Sequence, residues 1–518
     1  MDFTSLQETA LCEICSAFRI QPGILIPALK KCGRLVNDSR SVMEDTGYIA
    51  CKGKKNDGHR FIDSLPGKVP LIIYEEGKYS KPGSAGHTEF IPVSDSRAFS
   101  KKIAPVFYDF PSMKLRMHGV TGTNGKTTTV YMLDEFLRFM GKRPGVIGTI
   151  EYRFADQAYT SKNTTPDVLL LQDILYRMHT CGTEEAVMEV SSHALVENRI
   201  AEISYDTISF TNITPEHLDF HGTMDNYLKA KMLAFELLEK SRKPLKKAAV
   251  WKHTDRFMEI KSTLASYRYP SIFYAVQDKN EAGLGLTILE SYNGAYLIDV
   301  YYNSALLYHG TVGITGRYNL LNMLNALSIA LPFESDVSDA ELGKLCTELL
   351  MHALPNVSVP GRMERIHNPI QALVLVDYAH SPDGLLNALR ELSQIPHNRL
   401  IIVFGCGGDR DKTKRPVMGQ IAAEYADEIF ITSDNPRTEN PVDILAQISS
   451  GIKNTVKTCT VLENREEAIK AACSILKEND ILLIAGKGHE DYQEISGVRR
   501  HFDDREIARK YLTRVSNM

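Results

Sequence analysis

A β-compatible run, Leu115 to Val120, leads straight into Thr121-Gly-Thr-Asn-Gly-Lys-Thr-Thr-Thr129, and a helical pattern follows at once with Val130, Leu133, Leu137 and Met140 on one face. Strand, glycine loop, lysine, hydroxyl and helix stand in the order of a phosphate-binding loop. Gly122 and Gly125 let backbone N–H groups turn toward a polyphosphate, Lys126 neutralises phosphate charge, and Thr127 is placed to reach a magnesium ion. The helix N-terminus adds its dipole. Val120 stands where the general motif has its first glycine, and a glycine-rich strand-to-helix turn with a solvated lysine is the competing reading. Around the loop, Val146 to Ile150, Ala186 to Val190 and Thr207 to Phe210 read as buried strands alternating with helical stretches, the βαβ rhythm of a parallel sheet.

A chain of 518 residues is too long for one core, and typical domain size points to three. Residues 1 to about 110 mix β-rich runs, Leu71 to Tyr74 and Phe90 to Val93, with turn-forming clusters at Gly53-Lys-Lys-Asn-Asp-Gly58 and Lys81-Pro-Gly-Ser84, which predicts a small α/β domain. The region 111–354 carries the phosphate loop and, from Leu286 to His309, an alternating stretch with Asn293-Gly294 that predicts a β-rich insertion before Gly316. Pro355, Asn356 and Pro360 mark the next boundary. Over 355–518 the runs Ala372 to Val376, Leu400 to Phe404, Glu428 to Thr432 and Ile481 to Ala485 predict a doubly wound sheet with functional loops at the strand C-terminal ends. The expected class is α/β in three domains: a small N-terminal α/β domain, a central P-loop parallel-sheet domain and a C-terminal Rossmann-like domain.

With 43% hydrophobic and 24% charged residues and a formal net charge of -4, the chain is neither disordered nor a nucleic-acid-coating protein. The nine cysteines are scattered from Cys12 to Cys473, which fits a reducing compartment better than a disulfide framework. Cys12 and Cys15 form a CxxC, but Leu11, Ile14 and Phe18 make that segment an apolar helix face rather than a metal or redox site. The start lacks a basic n-region, and no run of about 18 apolar residues occurs. A cytoplasmic protein without membrane insertion is expected.

In its TGTNGKTT form the loop resembles that of the Mur ligases, and further blocks follow in that family's order over about residues 35 to 505. Ser191-Ser-His193, Asn212-Ile-Thr-Pro-Glu-His-Leu-Asp219, and Tyr227 with Lys231 look like the central-domain signature; Gly361-Arg-Met-Glu364 and Asp377-Tyr-Ala-His380 look like the start of the C-terminal domain. The resemblance implies a monomeric ligase that uses ATP and Mg2+ to form an amide through an acyl phosphate in peptidoglycan precursor synthesis. It assigns ATP to Thr121, Gly122, Thr123, Asn124, Gly125, Lys126, Thr127 and Thr128, adenine to Asn319 and Asn322, and the phosphates and ribose to Arg362 and Asp377. Such split contacts imply domain closure that keeps water from the acyl phosphate. Asn319 and Asn322 also read unaided as two carboxamides on one helical face, suited to a base edge, with helix capping by Asn319 as the alternative.

Activating a carboxylate with ATP requires neutralising charge between the two, and a Glu189 and His217 pair beyond strand ends suits magnesium or manganese. Taken alone, His217 reads more readily as a hydrogen-bonded structural histidine. Lys231, on a predicted helix Tyr227 to Glu239, reads by default as a solvated face residue. The resemblance makes it instead a lysine carbamylated by carbon dioxide that joins Thr127, Glu189 and His217 in holding metal, with Lys229 as its neighbouring competitor. Lys126, Glu189, His217 and Lys231 are the implied catalytic set.

Three loops of the third region, Gly405-Cys-Gly-Gly-Asp-Arg-Asp-Lys412, Asp434-Asn-Pro-Arg437 and Gly486-Lys-Gly-His-Glu490, each follow a predicted strand and so share one sheet edge. A substrate with an additional amino-carboxylate end needs a guanidinium and an acid, which Arg410, Arg437 and Glu490 supply. Each is singly a surface charge as readily. The D-N-P-R form resembles the branch that adds meso-diaminopimelate to UDP-N-acetylmuramoyl-L-alanyl-D-glutamate, which implies Arg410, Asp434, Asn435, Pro436, Arg437, Gly486 and Glu490 as its amino-acid site. The nucleotide-sugar peptide falls by resemblance to Ser39 in Asn37-Asp-Ser-Arg40, to Asn163, Thr164 and Thr165, and to Ser191, Glu197 and Arg199. Two departures stand out: Glu197, where the family often has glutamine, and Lys54-Lys55-Asn56. A folylpolyglutamate synthetase-like or cyanophycin-type ligase is the alternative within the class, opposed by Asp38-Ser-Arg40 and the D-N-P-R loop; a P-loop ATPase or kinase is the alternative outside it.

Overall fold

Strands that are apolar on both faces must lie between helical layers, and the sequence alternation builds such sheets in succession. The computed structural model describes residues 3–53, 56–65, 67–80, 86–200, 202–277, 283–292, 294–333, 337–452 and 458–515. Lys54, Lys55, the Lys81 to Ser84 cluster and Asn293 lie outside the described residues. The chain divides into two compact units: Met1–Ala275 with Ala282–Leu284 and Asn325–Pro332, and Val276–Glu281 with Gly285–Leu324 and Phe333–Met518.

The first unit opens with four parallel strands paired in chain order, Arg34–Val36, Thr46–Ile49, Leu71–Glu75 and Glu89–Val93. Leu71 and Ile73 face a core with Leu11, Cys15, Phe99 and Phe107, while Ile72 and Tyr74 face a smaller one with Tyr48, Ile62 and Phe90. Thr4 and Gln7 form a capping box that starts the helix Ser5–Phe18, and that helix sends Cys15 into the core and leaves Cys12 exposed. The CxxC is therefore divided between core and solvent, so the reading of both as buried helix residues holds for Cys15 and not for Cys12.

Six parallel strands follow, in the spatial order Ser271–Val276, Lys247–Trp251, Thr207–Phe210, Arg116–Thr121, Glu185–Glu189 and Pro144–Ile147. From Arg116–Thr121 the chain first builds to one side and then crosses to Thr207–Phe210 on the other. The phosphate loop thus sits at the point where strand order reverses, the usual ligand crevice of an open parallel sheet. Helix Lys126–Phe139 buries Val130, Leu133 and Leu137 as expected, each worth about 1.5–3 kcal/mol of apolar burial. The expected strand Val146 to Ile150 ends at Ile147, because the backbone N–H groups of Gly148 and Thr149 leave the ladder for the Glu151 carbonyl and the Glu189 carboxylate.

In the second unit, Leu284–Tyr292, Ala295–Tyr302 and Ala305–Val312 form the β-rich insertion expected before Gly316. Asn303 and Ser304, both at positive φ, make the tight turn between the last two. Beyond it lies a six-stranded sheet ordered Glu364–Ile366, Leu373–Asp377, Ile481–Ala485, Leu400–Phe404, Glu428–Ile431 and Thr458–Val461, antiparallel only at the first. Leu400, Ile402 and Phe404 enter one core, Ile401 and Val403 the other, so the sheet is doubly wound as read. Among the described residues no helix is long and apolar enough to cross a membrane.

The second core is locked by a fully buried ion pair. Arg465 donates from Nε and Nη2 to both Asp504 oxygens at 2.7 Å each, and from Nη2 to the Ala485 carbonyl at 2.9 Å. Arg465→Met strands the Asp504 charge and is expected to cost about 3–5 kcal/mol in denaturant unfolding. Lys510→Ala, which removes an exposed partner of Glu466, is expected to leave the unfolding midpoint unchanged.

Candidate active site

The phosphate loop is held open by its own backbone. Gly122 has φ 138°, and a Cβ there would stand 1.9 Å from Thr211 Oγ1, so only glycine fits. Thr123 N donates to Asn212 O and Asn124 N to Asn212 Oδ1, both at 2.9 Å, which ties the loop to the chain leaving strand Thr207–Phe210. Lys126 at the helix start lies back across the loop and donates to the carbonyls of Gly122 at 3.0 Å and Thr123 at 2.7 Å. Thr128 is buried in the first turn beside it.

Glu189 ends its strand almost fully buried and gathers three donors: Thr127 Oγ1 at 3.0 Å, Thr149 N at 2.8 Å and Thr149 Oγ1 at 3.0 Å. Its carbonyl accepts Thr165 Oγ1 at 2.8 Å, and Thr165 Oγ1 in turn accepts Ser191 N at 3.1 Å. Thr149 Oγ1, whose one proton goes to Glu189, accepts from Thr164 Oγ1 at 3.1 Å, and Arg199 Nη1 donates to Thr165 O at 3.0 Å. Five of the sequence-read residues, Glu189, Thr164, Thr165, Ser191 and Arg199, therefore form one network with Thr127. Glu197 turns its carboxylate onto the Arg199 guanidinium, with Nε at 2.8 Å, so the acid at this position is paired within the chain. Asn163 and Ser39 are not tied into that network; Asn163 O accepts Ser161 Oγ, and Ser39 begins a short helical turn capped by Asp38.

Lys231 is 1% exposed, against the default of a solvated helix face, whereas Lys229 is exposed. Thr223 caps the helix Met224–Lys240, and Lys231 Nζ donates 2.7 Å to the Gly122 carbonyl. Burial first, and the Lys126 charge second, push its pKa well below the ordinary lysine value, with Glu216 opposing. His217 takes a left-handed conformation, φ 55°, before the turn Leu218–His221; its ring lies 4.8 Å from that of His193 and its Nε2 3.7 Å from Glu216. Among the described residues no three His, Cys, Asp or Glu side chains stand close enough to hold a metal. The hydroxyl of Thr127 and the carboxylate of Glu189 are hard oxygen donors of the right kind for magnesium.

In the second unit Asn319 and Asn322 are buried on helix Arg317–Ala330, where Asn322 Nδ2 donates to Asn319 Oδ1 at 2.9 Å. Asn319 is inside the helix and donates to Thr315 O at 2.8 Å, so it is not the cap. Asp377 accepts the Met363 and Ala379 N–H groups at 2.8 and 2.9 Å; burial raises its pKa and Arg362 opposes that. Arg362 stacks on Tyr378, its Cζ 4.6 Å from the ring centre, and among the described residues its buried Nε has no hydrogen-bond partner.

The three loops do meet at one sheet edge. A Cβ on Gly407 would lie 2.8 Å from Arg437 Nη1 and 3.9 Å from Arg410 Cγ. Arg437, at φ 53°, donates Nη1 to Gly408 O at 2.8 Å, and its backbone pairs with the hairpin Tyr492–His501 through Glu494 O and Ser496 N. Asn435 Nδ2 donates to Glu490 Oε2 at 2.8 Å, and Pro436 O accepts Glu439 N at 3.1 Å. Asp434 and Asn435 are buried, while Arg410 is exposed. Missed from the sequence were Arg415 and Glu439, which bolt these loops together: the fully buried Arg415 donates to Glu439 at 2.9 and 3.0 Å and to Gln447 at 2.8 Å. Lys487, also fully buried, was missed for the same reason, since a charged residue in a loop carries no signal of burial.

Residues 120–330 match the Mur ligase middle domain, and residues 361–488 match the Mur ligase, glutamate ligase domain. The chain is 37% identical to a UDP-N-acetylmuramoyl-L-alanyl-D-glutamate--2,6-diaminopimelate ligase of Geobacillus kaustophilus (strain HTA426), over 91% of this chain and 93% of the relative. It is 36% identical to the protein of the same name from Parabacteroides distasonis, over 92% of this chain and 94% of the relative. A solved structure of such a ligase superposes with a TM-score of 0.62 at 28% identity, covering 93% of this chain and 95% of that one. The MurF ligase of Thermotoga maritima in complex with ADP shares the fold, with a TM-score of 0.63 at 21% identity and coverage of 94% and 99%. Identity of that depth, spread over both matched domains in order, means that the chain belongs to the Mur ligase family.

Proposed function

We propose that this chain joins meso-2,6-diaminopimelate to the D-glutamyl carboxylate of UDP-N-acetylmuramoyl-L-alanyl-D-glutamate, using ATP, in peptidoglycan precursor synthesis. The observation that carries this reading is the guanidinium of Arg437 and the part-buried carboxylate of Glu490 brought with Asn435 to one sheet edge. An amino acid with a second amino-carboxylate end needs that pair, and one with a plain amine end does not. We divide the chain into a nucleotide-sugar domain, 1–110, an ATP domain, 111–354, and an amino-acid domain, 355–518. We also read it as a cytoplasmic monomer, the nine free cysteines fitting a reducing compartment.

In this reading the γ-phosphoryl group passes to the D-glutamyl carboxylate, giving ADP and an acyl phosphate. The substrate amine then attacks the acyl carbon and phosphate leaves. Gly122, Thr123, Asn124 and Gly125 present backbone N–H groups to the triphosphate, and Lys126 exchanges its loop carbonyls for phosphate oxygens. Asn319, Asn322, Arg362 and Asp377 are assigned to adenine, phosphates and ribose. Ser39, Asn163, Thr164, Thr165, Ser191, Glu197 and Arg199 are assigned to the nucleotide-sugar peptide, Arg199 being the cation for its carboxylate. Arg410 and Arg437 take the carboxylates of diaminopimelate and Glu490, with Asp434 and Asn435, its ammonium. Thr127, Glu189, His217 and the carbamate of Lys231 are the residues that would hold Mg2+, which would neutralise charge between ATP and the carboxylate when bound. A buried lysine whose pKa burial lowers, donating to Gly122 O, is suited to be the nucleophile that carbon dioxide needs, and the carbamate would add an anionic oxygen ligand.

The reading is tested by ADP release with ATP, the UDP-muramoyl dipeptide and an amino-acid panel. Turnover is expected only when dipeptide and meso-diaminopimelate are both present; release with ATP and either one alone favours an ATPase or kinase. Lys231→Ala is expected to lower kcat by more than about 100-fold, with partial rescue by short carboxylic acids, and unchanged activity removes the carbamate. Arg437→Lys is expected to raise the KM for diaminopimelate about tenfold to a hundredfold, the size of one charge-assisted hydrogen bond, with the KM for ATP unchanged. Gly122→Ala is expected to cost on the order of 100-fold in kcat/KM for ATP in the same assay, since the loop must shift by more than 1 Å to clear Thr211.

A further inference from the structure

Lys487 has no part in the mechanism above, yet its side chain is 0% exposed. A lysine is almost never buried without partners. Positive φ at Gly486, 117°, and at Gly488, 54°, lets the chain double back on either side of it, and Glu490 N donates to Lys487 O at 3.0 Å. The ammonium carries three protons and meets three acceptors: Glu490 Oε2 at 3.3 Å, Asn435 Oδ1 at 3.4 Å and the Tyr492 carbonyl. Asn435 closes the ring by donating Nδ2 to the same Glu490 oxygen at 2.8 Å, and Glu494 N, donating to its Oδ1 at 2.9 Å, fixes which end of the carboxamide faces which neighbour. Both bonds into Glu490 fall on Oε2; among the described residues none falls on Oε1.

We propose that Lys487 is a positioning residue for amino-acid selection: it holds Glu490 Oε2 and Asn435 Oδ1 so that Glu490 Oε1 is presented, charged, to the ammonium of the substrate's distal end. This role rests on the diaminopimelate reading above. The electrostatics agree with the geometry. Burial raises the Glu490 pKa, Lys487 opposes that, and Asp434 adds to the rise. Tyr378, Tyr492 and the guanidinium groups of Arg465 and Arg499 also interact electrostatically with the carboxylate. Lys487 is the cation in hydrogen-bond contact with it. Without that contact the carboxyl holds its proton to higher pH and its rotamer is no longer set.

The experiment is steady-state ADP release by the full chain from pH 6 to 9, with the UDP-muramoyl dipeptide saturating and diaminopimelate or ATP varied. For Lys487→Met the KM for diaminopimelate is expected to rise about tenfold or more, with the KM for ATP within about twofold of wild type. The acid limb of kcat/KM for diaminopimelate is expected to move to higher pH, and Glu490→Gln to remove that limb. An unmoved limb, or equal losses for both substrates, overturns the proposal. If the Met variant does not accumulate folded, Lys487→Arg decides: a retained cation keeps the limb in place while KM rises, and a limb that moves overturns the role. Wild-type protein that releases no ADP with diaminopimelate removes the underlying reading; wild type that does, matched by Lys487→Met, removes only Lys487.

Discussion

A parallel sheet buried on both faces offers its polar backbone and its loops only at the strand ends, and the two loop clusters of this protein follow from that constraint. In the first unit Thr121, Glu189 and Phe210 end adjacent parallel strands, so the phosphate loop, the Glu189 carboxylate and the Thr211–Asn212 turn emerge side by side. In the second, Phe404, Ile431 and Ala485 end adjacent strands, which brings Gly405, Asp434 and Gly486 to one edge. Contacts among these loops hold them without a regular ladder: Thr123 to Asn212, Gly408 N to Asn435 O, and Gly486 against Asp434.

Buried charge is then used in two different ways. Arg465 with Asp504, and Arg415 with Glu439, are complete ion pairs that lock segments together, and the Arg415 guanidinium with neighbouring hydrogen bonds holds Glu439 down at about 2. Among the described residues Lys231 meets no carboxylate within hydrogen-bond distance and rests on a carbonyl, so its burial favours the neutral amine. The first arrangement gives rigidity; the second gives reactivity. Lys487 lies between them, an ammonium satisfied by one carboxylate, one carboxamide and one carbonyl.

Much of this was legible beforehand. The strands Thr207–Phe210, Leu400–Phe404 and Ile481–Ala485 stand where the apolar runs lie, because β-branched and leucine-rich segments of four or five residues flanked by turns have few other uses. Val146 to Ile150 was read too long, since an apolar run cannot reveal that Thr149 donates to a carboxylate forty residues away. Glu197 looked discordant among substrate ligands, and its pairing with Arg199, two positions on, resolves that.

The sequence by itself determined the order of strands and helices, the phosphate loop and the loops that carry Arg437 and Glu490, because hydrophobic period and glycine spacing are local properties of the chain. Tertiary structure alone decided which charged side chains are buried. Lys231, Arg415 and Lys487 carry the same local signal as any surface cation, and only the packing of distant segments against them removes water and sets their charge and hydrogen bonds.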